Sequence, residues 1–172
     1  TRYIGDWSSD VCSSDLEMEE FNMKKPIYIH YGHKKFYKEM CEPIENIQLF
    51  TKPRGGFWAS RTDAEFGWKD WCIEEEFRDI DENDAFRFKL KDNAKILYID
   101  NTDMLSVLPM VQNKLPLLKG TNIFLDFEKL SKEYDAIEVN ISECRDLYYS
   151  LYGWDCDSIL IMNPDIIEEV KQ

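Results

Sequence analysis

Histidine, glycine and proline are scarce in this chain: two, seven and six residues of 172. Long apolar runs are missing as well. No stretch approaches the roughly 20 apolar residues that a membrane-spanning helix needs, so no membrane partner is expected. The sequence shows no internal repeat, low-complexity tract or linker. Its five cysteines contain no C-x-x-C pair, and His30 and His33 are the only imidazoles, so no zinc-ligand pattern is present. Positive charge is in the minority, with 21 Lys and Arg against 34 Asp and Glu and a net charge of −13. Such a surface repels nucleic-acid phosphate unless a basic patch is set apart. The single basic cluster is Lys24, Lys25, His33, Lys34, Lys35 and Lys38. Solvated lysines are its ordinary reading.

What is there is enough apolar and aromatic residue for a folded core. Residues 1–16, TRYIGDWSSDVCSSDL, stand apart. They resemble the translation of sequencing-adapter read-through, and no periodicity or cap joins them to residue 17 and beyond. They are set aside as a tag would be, which moves the net charge to −11 and the expected start to Met18 or Met23. Residues 17–172 are then expected to form a single globular domain. Cys41, Cys72, Cys144 and Cys156 read as reduced thiols, and with no secretory signal in view the expected location is cytoplasmic.

Hydrophobic patterning predicts an α+β fold with a mixed or antiparallel sheet and flanking helices. Strands are expected over residues 26–31, 56–60, 85–90, 94–100, 136–139 and 158–162. Residues 85–90 alternate clearly, and the turn at Asp92-Asn93 predicts a hairpin with the strand over 94–100. Residues 33–42 read as a short helix or loop, and Ile47, Leu49 and Phe50 as apolar anchors of a connection between Pro43 and Pro53. A capping box at Thr62 and Glu65 predicts a helix to about Phe77, with Trp68, Trp71 and Cys72 on one face. Helices are also expected over residues 101–108 and 126–133, with a helical tail over 165–170. The stretch from Pro109 to Gly120 is apolar but broken by Pro109 and Pro116.

Three clusters conflict with plain strand chemistry. Ile29-His30-Tyr31-Gly32 ends the first strand with a histidine. It is either a core imidazole bonded to backbone or a ligand for a ribose hydroxyl or amide, and Gly32 allows close backbone approach. Gly55-Gly56-Phe57-Trp58-Ala59-Ser60 sets flat rings beside a flexible entry. With Trp68 and Trp71 they form either core or a stacking platform for a planar ring. In Tyr134-Asp135-Ala136-Ile137-Glu138-Val139, an Ile137/Val139 core face leaves Glu138 on a solvated or cleft-lining face. There it could stabilise developing positive charge. Asp135 reads as the turn into that strand. Asp155 and Asp157 flank Cys156 and read as a loop and strand-end cap; a Cys156–His30 nucleophile pair has no supporting signature.

In this order the clusters resemble the ADP-ribosyltransferase family of the His-Tyr-Glu type. The resemblance implies that His30 positions NAD and that Phe57 and Trp68, ten residues apart, stack on nicotinamide. Glu138 would stabilise the oxocarbenium-like transition state. It makes Glu138 and His30 catalytic, and His30, Tyr31, Phe57, Trp58, Ser60 and Trp68 NAD-binding, with no metal. The acceptor would be an unidentified protein or nucleic acid. Phe and Trp stand where the family has tyrosines, and His-Tyr-Gly where it has His-Gly-Thr. Residues 26–167 also resemble small uncharacterised proteins of Firmicutes and their phages, through Lys-Pro-Arg-Gly-Gly-Phe-Trp-Ala-Ser and Leu-Tyr-Gly-Trp-Asp-Cys-Asp-Ser-Ile. The implied function is an NAD-dependent ADP-ribosyltransferase-like protein associated with a toxin or phage. The alternative is a non-catalytic phage or bacterial modulator with an acidic, aromatic binding surface. The first predicts that His30 and Glu138 converge with Phe57 and Trp68 on one cleft; the second, that they lie apart.

Overall fold

A computed structural model describes residues 25–47, 52–112 and 122–170. The adapter-like segment 1–16, the starts at Met18 and Met23, Lys24, the anchors Leu49 and Phe50, and residues 113–121 of the proline-interrupted stretch lie outside them. The described residues form a mixed α+β architecture. Its strands are β1 (Tyr28–Tyr31), β2 (Glu42–Glu45), β3 (Arg54–Arg61), β4 (Ala85–Leu90), β5 (Ile96–Ile99), β6 (Met110–Gln112), β7 (Asn122–Leu125), β8 (Ala136–Val139), β9 (Ser158–Ile161) and β10 (Ile167–Glu169). The α-helices are α1 (Trp68–Glu74), α2 (Phe127–Leu130) and α3 (Arg145–Ser150).

The main sheet runs β10-β4-β1-β3-β9-β8-β5, with β2 paired to β3; β6 and β7 pair separately. All its pairings are antiparallel except β5 with β8. The expected β4–β5 hairpin does not form. β4 pairs with β1 and β10, and β5 lies at the far edge beside β8. In a flat sheet these strands would be about 24 Å apart, five spacings of ~4.8 Å. The link from Leu90 to Ile96 reaches at most about 21 Å when extended, and it contains a turn in which Ala94 N–H donates to the Lys91 carbonyl. The sheet must therefore curl. Ile96 from one edge strand and Ile167 from the other pack against the same buried cluster of Tyr28, Phe57, Phe86, Phe88, Ile159 and Ile161.

The opposite face carries the second core. Leu97, Ile99, Ile137, Val139 and Leu160 pack beneath Phe127 and Leu130 of α2, Leu147 of α3, and Leu151 and Trp154 after it. With a core on each side, every residue of β8 is buried. Asp126 caps α2 by accepting from the Lys129 N–H.

Several local expectations fail for identifiable reasons. The helix expected from Thr62 starts only at Trp68, because Ser60 Oγ, from the strand below, accepts the Trp68 N–H at 2.9 Å, while Asp70 takes the Gly67 N–H. Residues 103–107 form a 3-10 turn rather than an α-helix. The expected helical tail is a 3-10 turn at Pro164–Ile166 followed by β10, which completes the ladder on β4. At the start of β3, Gly55 has φ +79°, and a Cβ there would lie 2.1 Å from the Pro43 carbonyl oxygen. Only glycine allows β2 to pair so closely.

Candidate functional site

Strand alternation and register place each candidate side chain on one of the two faces. Trp58 is opposite Leu160, which is opposite Ile137. Ile29 is opposite Ser60 and Arg87. Ile29, Tyr31, Trp58, Ser60 and Arg87 therefore share the face that carries the helices. Tyr28, His30, Phe57, Ala59, Arg61 and Glu138 share the face inside the curl.

On the helix-bearing face, Tyr31, Trp58 and Ser60 line a cavity of about 360 Å³ together with Trp68, Arg78 and Cys156. The volume is within the range of small-molecule sites. Trp58 is fixed edge-on against Trp154, with centroids 4.7 Å apart. Trp68 stacks on Trp71 at 5.0 Å, with Phe77 edge-on. The wall is thus built from one strand residue and one helix residue, each backed by another tryptophan. Two cations face these rings: Lys52 lies 4.9 Å from the Trp58 centroid and the Arg78 guanidinium 5.5 Å from that of Trp68. Lys52 is also 3.7 Å from Asp155. The Cys156 thiol is buried, and that burial pushes its pKa up to about 12, so it is a neutral wall group at neutral pH.

Ser60 is already engaged. Its hydroxyl donates to the Asp157 carbonyl and accepts from Trp68 N–H. It orients Trp68 rather than presenting a free hydroxyl. Asp157 holds the neighbouring loops, accepting from the Ser142 N–H and donating its own N–H to the Phe66 carbonyl.

His30 borders the same cavity. Its ring, however, packs within the curl, 4.4 Å from Phe57 and 5.6 Å from Phe86. Nδ1 lies 2.8 Å from the Trp58 carbonyl oxygen, which can only accept, so Nδ1 carries the proton. In neutral His30, Nε2 then accepts from His33 Nδ1 at 3.2 Å. Burial holds the His30 pKa below the usual imidazole range, opposed by the bond to Trp58.

Phe57 is 2% exposed and belongs to the inner core. The aromatic pair expected from Phe57 and Trp68 is not formed; Trp58 is the strand aromatic that shares a cavity with Trp68. The spacing pointed to the right turn of chain, but two neighbouring strand residues face opposite ways.

Glu138 is also 2% exposed, on a face that the sequence left solvated or cleft-lining. It is covered because the sheet curls over it. Its carboxylate pairs with the Arg61 guanidinium and accepts from Tyr28 Oη at 2.8 Å. Burial pulls the Arg61 pKa down, but the bond to Glu138 and its charge outweigh this and hold the guanidinium protonated. Burial first, and then the Glu138 charge, raise the Tyr28 phenol above its usual range. Glu138 borders a smaller cavity of about 170 Å³ with Asn140, Ser142 and Asp157. Ser158 lines both cavities. Arg61 and Tyr28, the partners of Glu138, escaped the sequence reading; the alternation that put Tyr28 and His30 on one face was the available signal.

Among the described residues no group of three or more His, Cys, Asp or Glu side chains is placed to hold a metal ion, and no helix is long and apolar enough to cross a membrane. The four cysteines there are free thiols. Comparison with protein-family models, curated proteins and solved structures finds no match.

Proposed function

We propose that this protein binds a small molecule with a planar ring in the tryptophan-lined cavity, and that NAD, the ligand implied by the resemblance to ADP-ribosyltransferases, is the first to test. The observation carrying the proposal is that Trp58 and Trp68, from β3 and α1, line one mostly apolar cavity of about 360 Å³. Each is held in place by a second aromatic. Stacking on such a side chain contributes about 1–3 kcal/mol. Tryptophan fluorescence titration with NAD and its component nucleosides tests this. Trp58→Ala should weaken binding by roughly tenfold or more. Absence of binding by NAD and by every component would sink the proposal.

A binding module without transfer is the form the geometry favours. Glu138 lies on the other face of the sheet and is engaged by Arg61 and Tyr28. The transferase reading draws support from one feature, that Ser158 lines both cavities. There, a ligand spanning both would bring its ribose toward Glu138. NAD turnover separates the two readings. Turnover in the parent protein, abolished in folded Glu138→Gln, supports transfer. Binding without turnover supports the module.

A further inference from the structure

The tryptophan cavity has a neighbour. A second cavity of about 330 Å³ shares Ile29, Tyr31, Ser60 and Trp68 with it and continues over the same face of the sheet to Arg87. Its character is different, because three cations border it: Arg61, Lys69 and Arg87. Two of these charges are engaged, Arg61 with Glu138 and Lys69 with Glu82. The carboxylate of Asp70 caps α1 through the Gly67 N–H. Arg87 is exposed and has no carboxylate partner among the described residues. Arg78 of the ring cavity is likewise without a carboxylate partner among the described residues, so each of the two cavities presents one unpaired guanidinium.

Its placement comes from the register. Arg87 lies opposite Ile29, two residues along from the Tyr31–Ala85 pair. Trp58 is opposite Tyr31 by continuation of the β1–β3 register. Two strand spacings and two residue rises put the Trp58 and Arg87 backbones about 12 Å apart. An arginine side chain directed into the cavity shortens that to a span which the sugar of a nucleoside phosphate bridges.

We infer that the two cavities form one bipartite site for a nucleoside phosphate, with the ring against Trp58 and Trp68 and the phosphate on Arg87. This rests on the planar-ring reading of the tryptophan cavity and adds the anionic half of the ligand. Guanidinium suits phosphate because its fork of N–H donors binds two oxygens at once. Glu82 is already offset by Lys69, whereas Asp70 holds only a backbone N–H and keeps its charge, so the phosphate is held by the fork of Arg87 donors rather than by a net positive cavity.

The test uses two ligand pairs, adenosine with AMP and nicotinamide riboside with nicotinamide mononucleotide, titrated by tryptophan fluorescence. In whichever pair binds, the phosphate should tighten binding by about tenfold or more. Arg87→Gln should remove that gain and leave the unphosphorylated compound unchanged. Arg78→Gln is the control, since Arg78 is the cation stacked on Trp68 in the ring cavity. If phosphate gives no gain, or the gain survives Arg87→Gln, or it is lost in Arg78→Gln instead, the inference is overturned while the ring site stands. If no member of either pair binds, the ring site and the inference fall together.

Discussion

Arg61→Gln tests whether the Glu138 pair is a structural tie inside the curl. Removing one partner of a fully buried ion pair costs about 3–5 kcal/mol, because the other charge is left without compensation. Two features of this pair reduce the figure. The Arg61 side chain is 32% exposed, so water already reaches the guanidinium. Glu138, at 2% exposure, also keeps its bond from Tyr28 Oη. The expected loss is therefore about 2–3 kcal/mol. Glu138→Gln should cost less, about 1–2 kcal/mol, since a neutral amide still accepts from Tyr28 and Arg61 can turn toward solvent. The double variant buries no charge and should cost less than the sum of the two, with a coupling of about 1 kcal/mol or more. Urea denaturation reads this directly, as a lower midpoint with unchanged slope for Arg61→Gln. The thermal midpoint should fall by about 5–10 °C. An Arg61→Gln variant within about 0.5 kcal/mol of the parent, or strict additivity in the double, would refute the reasoning.

Stability should form a plateau between about pH 6.5 and 8.5, the unfolded imidazole and thiol values. Burial depresses the His30 pKa, so the unfolded chain takes up its proton first and stability falls as pH drops below the plateau. Burial pushes the Cys41 and Cys156 thiols up to about 11 and about 12, and raises Tyr28. The unfolded chain therefore loses those protons first, and stability falls as pH rises above the plateau. Urea midpoints that stay flat from about pH 5 to 10 would contradict this. Gly55→Ala should be severe, with poor yield or a loss above about 3 kcal/mol, since its Cβ meets the Pro43 carbonyl. Gly32→Ala, with φ +105° but nothing within 4 Å of the added Cβ, should lose only about 1–3 kcal/mol in thermal denaturation. Ser60→Ala removes the acceptor for Trp68 N–H and should cost about 1–2 kcal/mol, with a changed tryptophan emission spectrum.

Local chemistry read from the sequence was reliable where a residue acts on its own neighbours. The alternation over residues 85–90 is β4, and the helix expected over 126–133 is present as the shorter α2. Trp58, the neighbour of the expected Phe57, is the strand aromatic that shares a cavity with Trp68. Where a distant segment intervenes, local reading failed. The Thr62 capping pattern lost to Ser60, which the fold brings under Trp68. The tail at residues 167–169 became a strand because β4 offered an unpaired edge.

The sequence by itself determined an acidic α+β chain, its main strands, and which side chains within each strand oppose one another. Phe57 and Trp58 had to point apart, because successive strand residues do. Which of them would meet a cavity was decided only by the tertiary structure. The short link from β4 to the far edge curls the sheet, and the curl encloses Phe57, His30 and Glu138 while leaving Trp58, Tyr31 and Arg87 on the outer face. Pairing partners and curvature arise from contacts far apart in the chain, and strand periodicity carries no record of them.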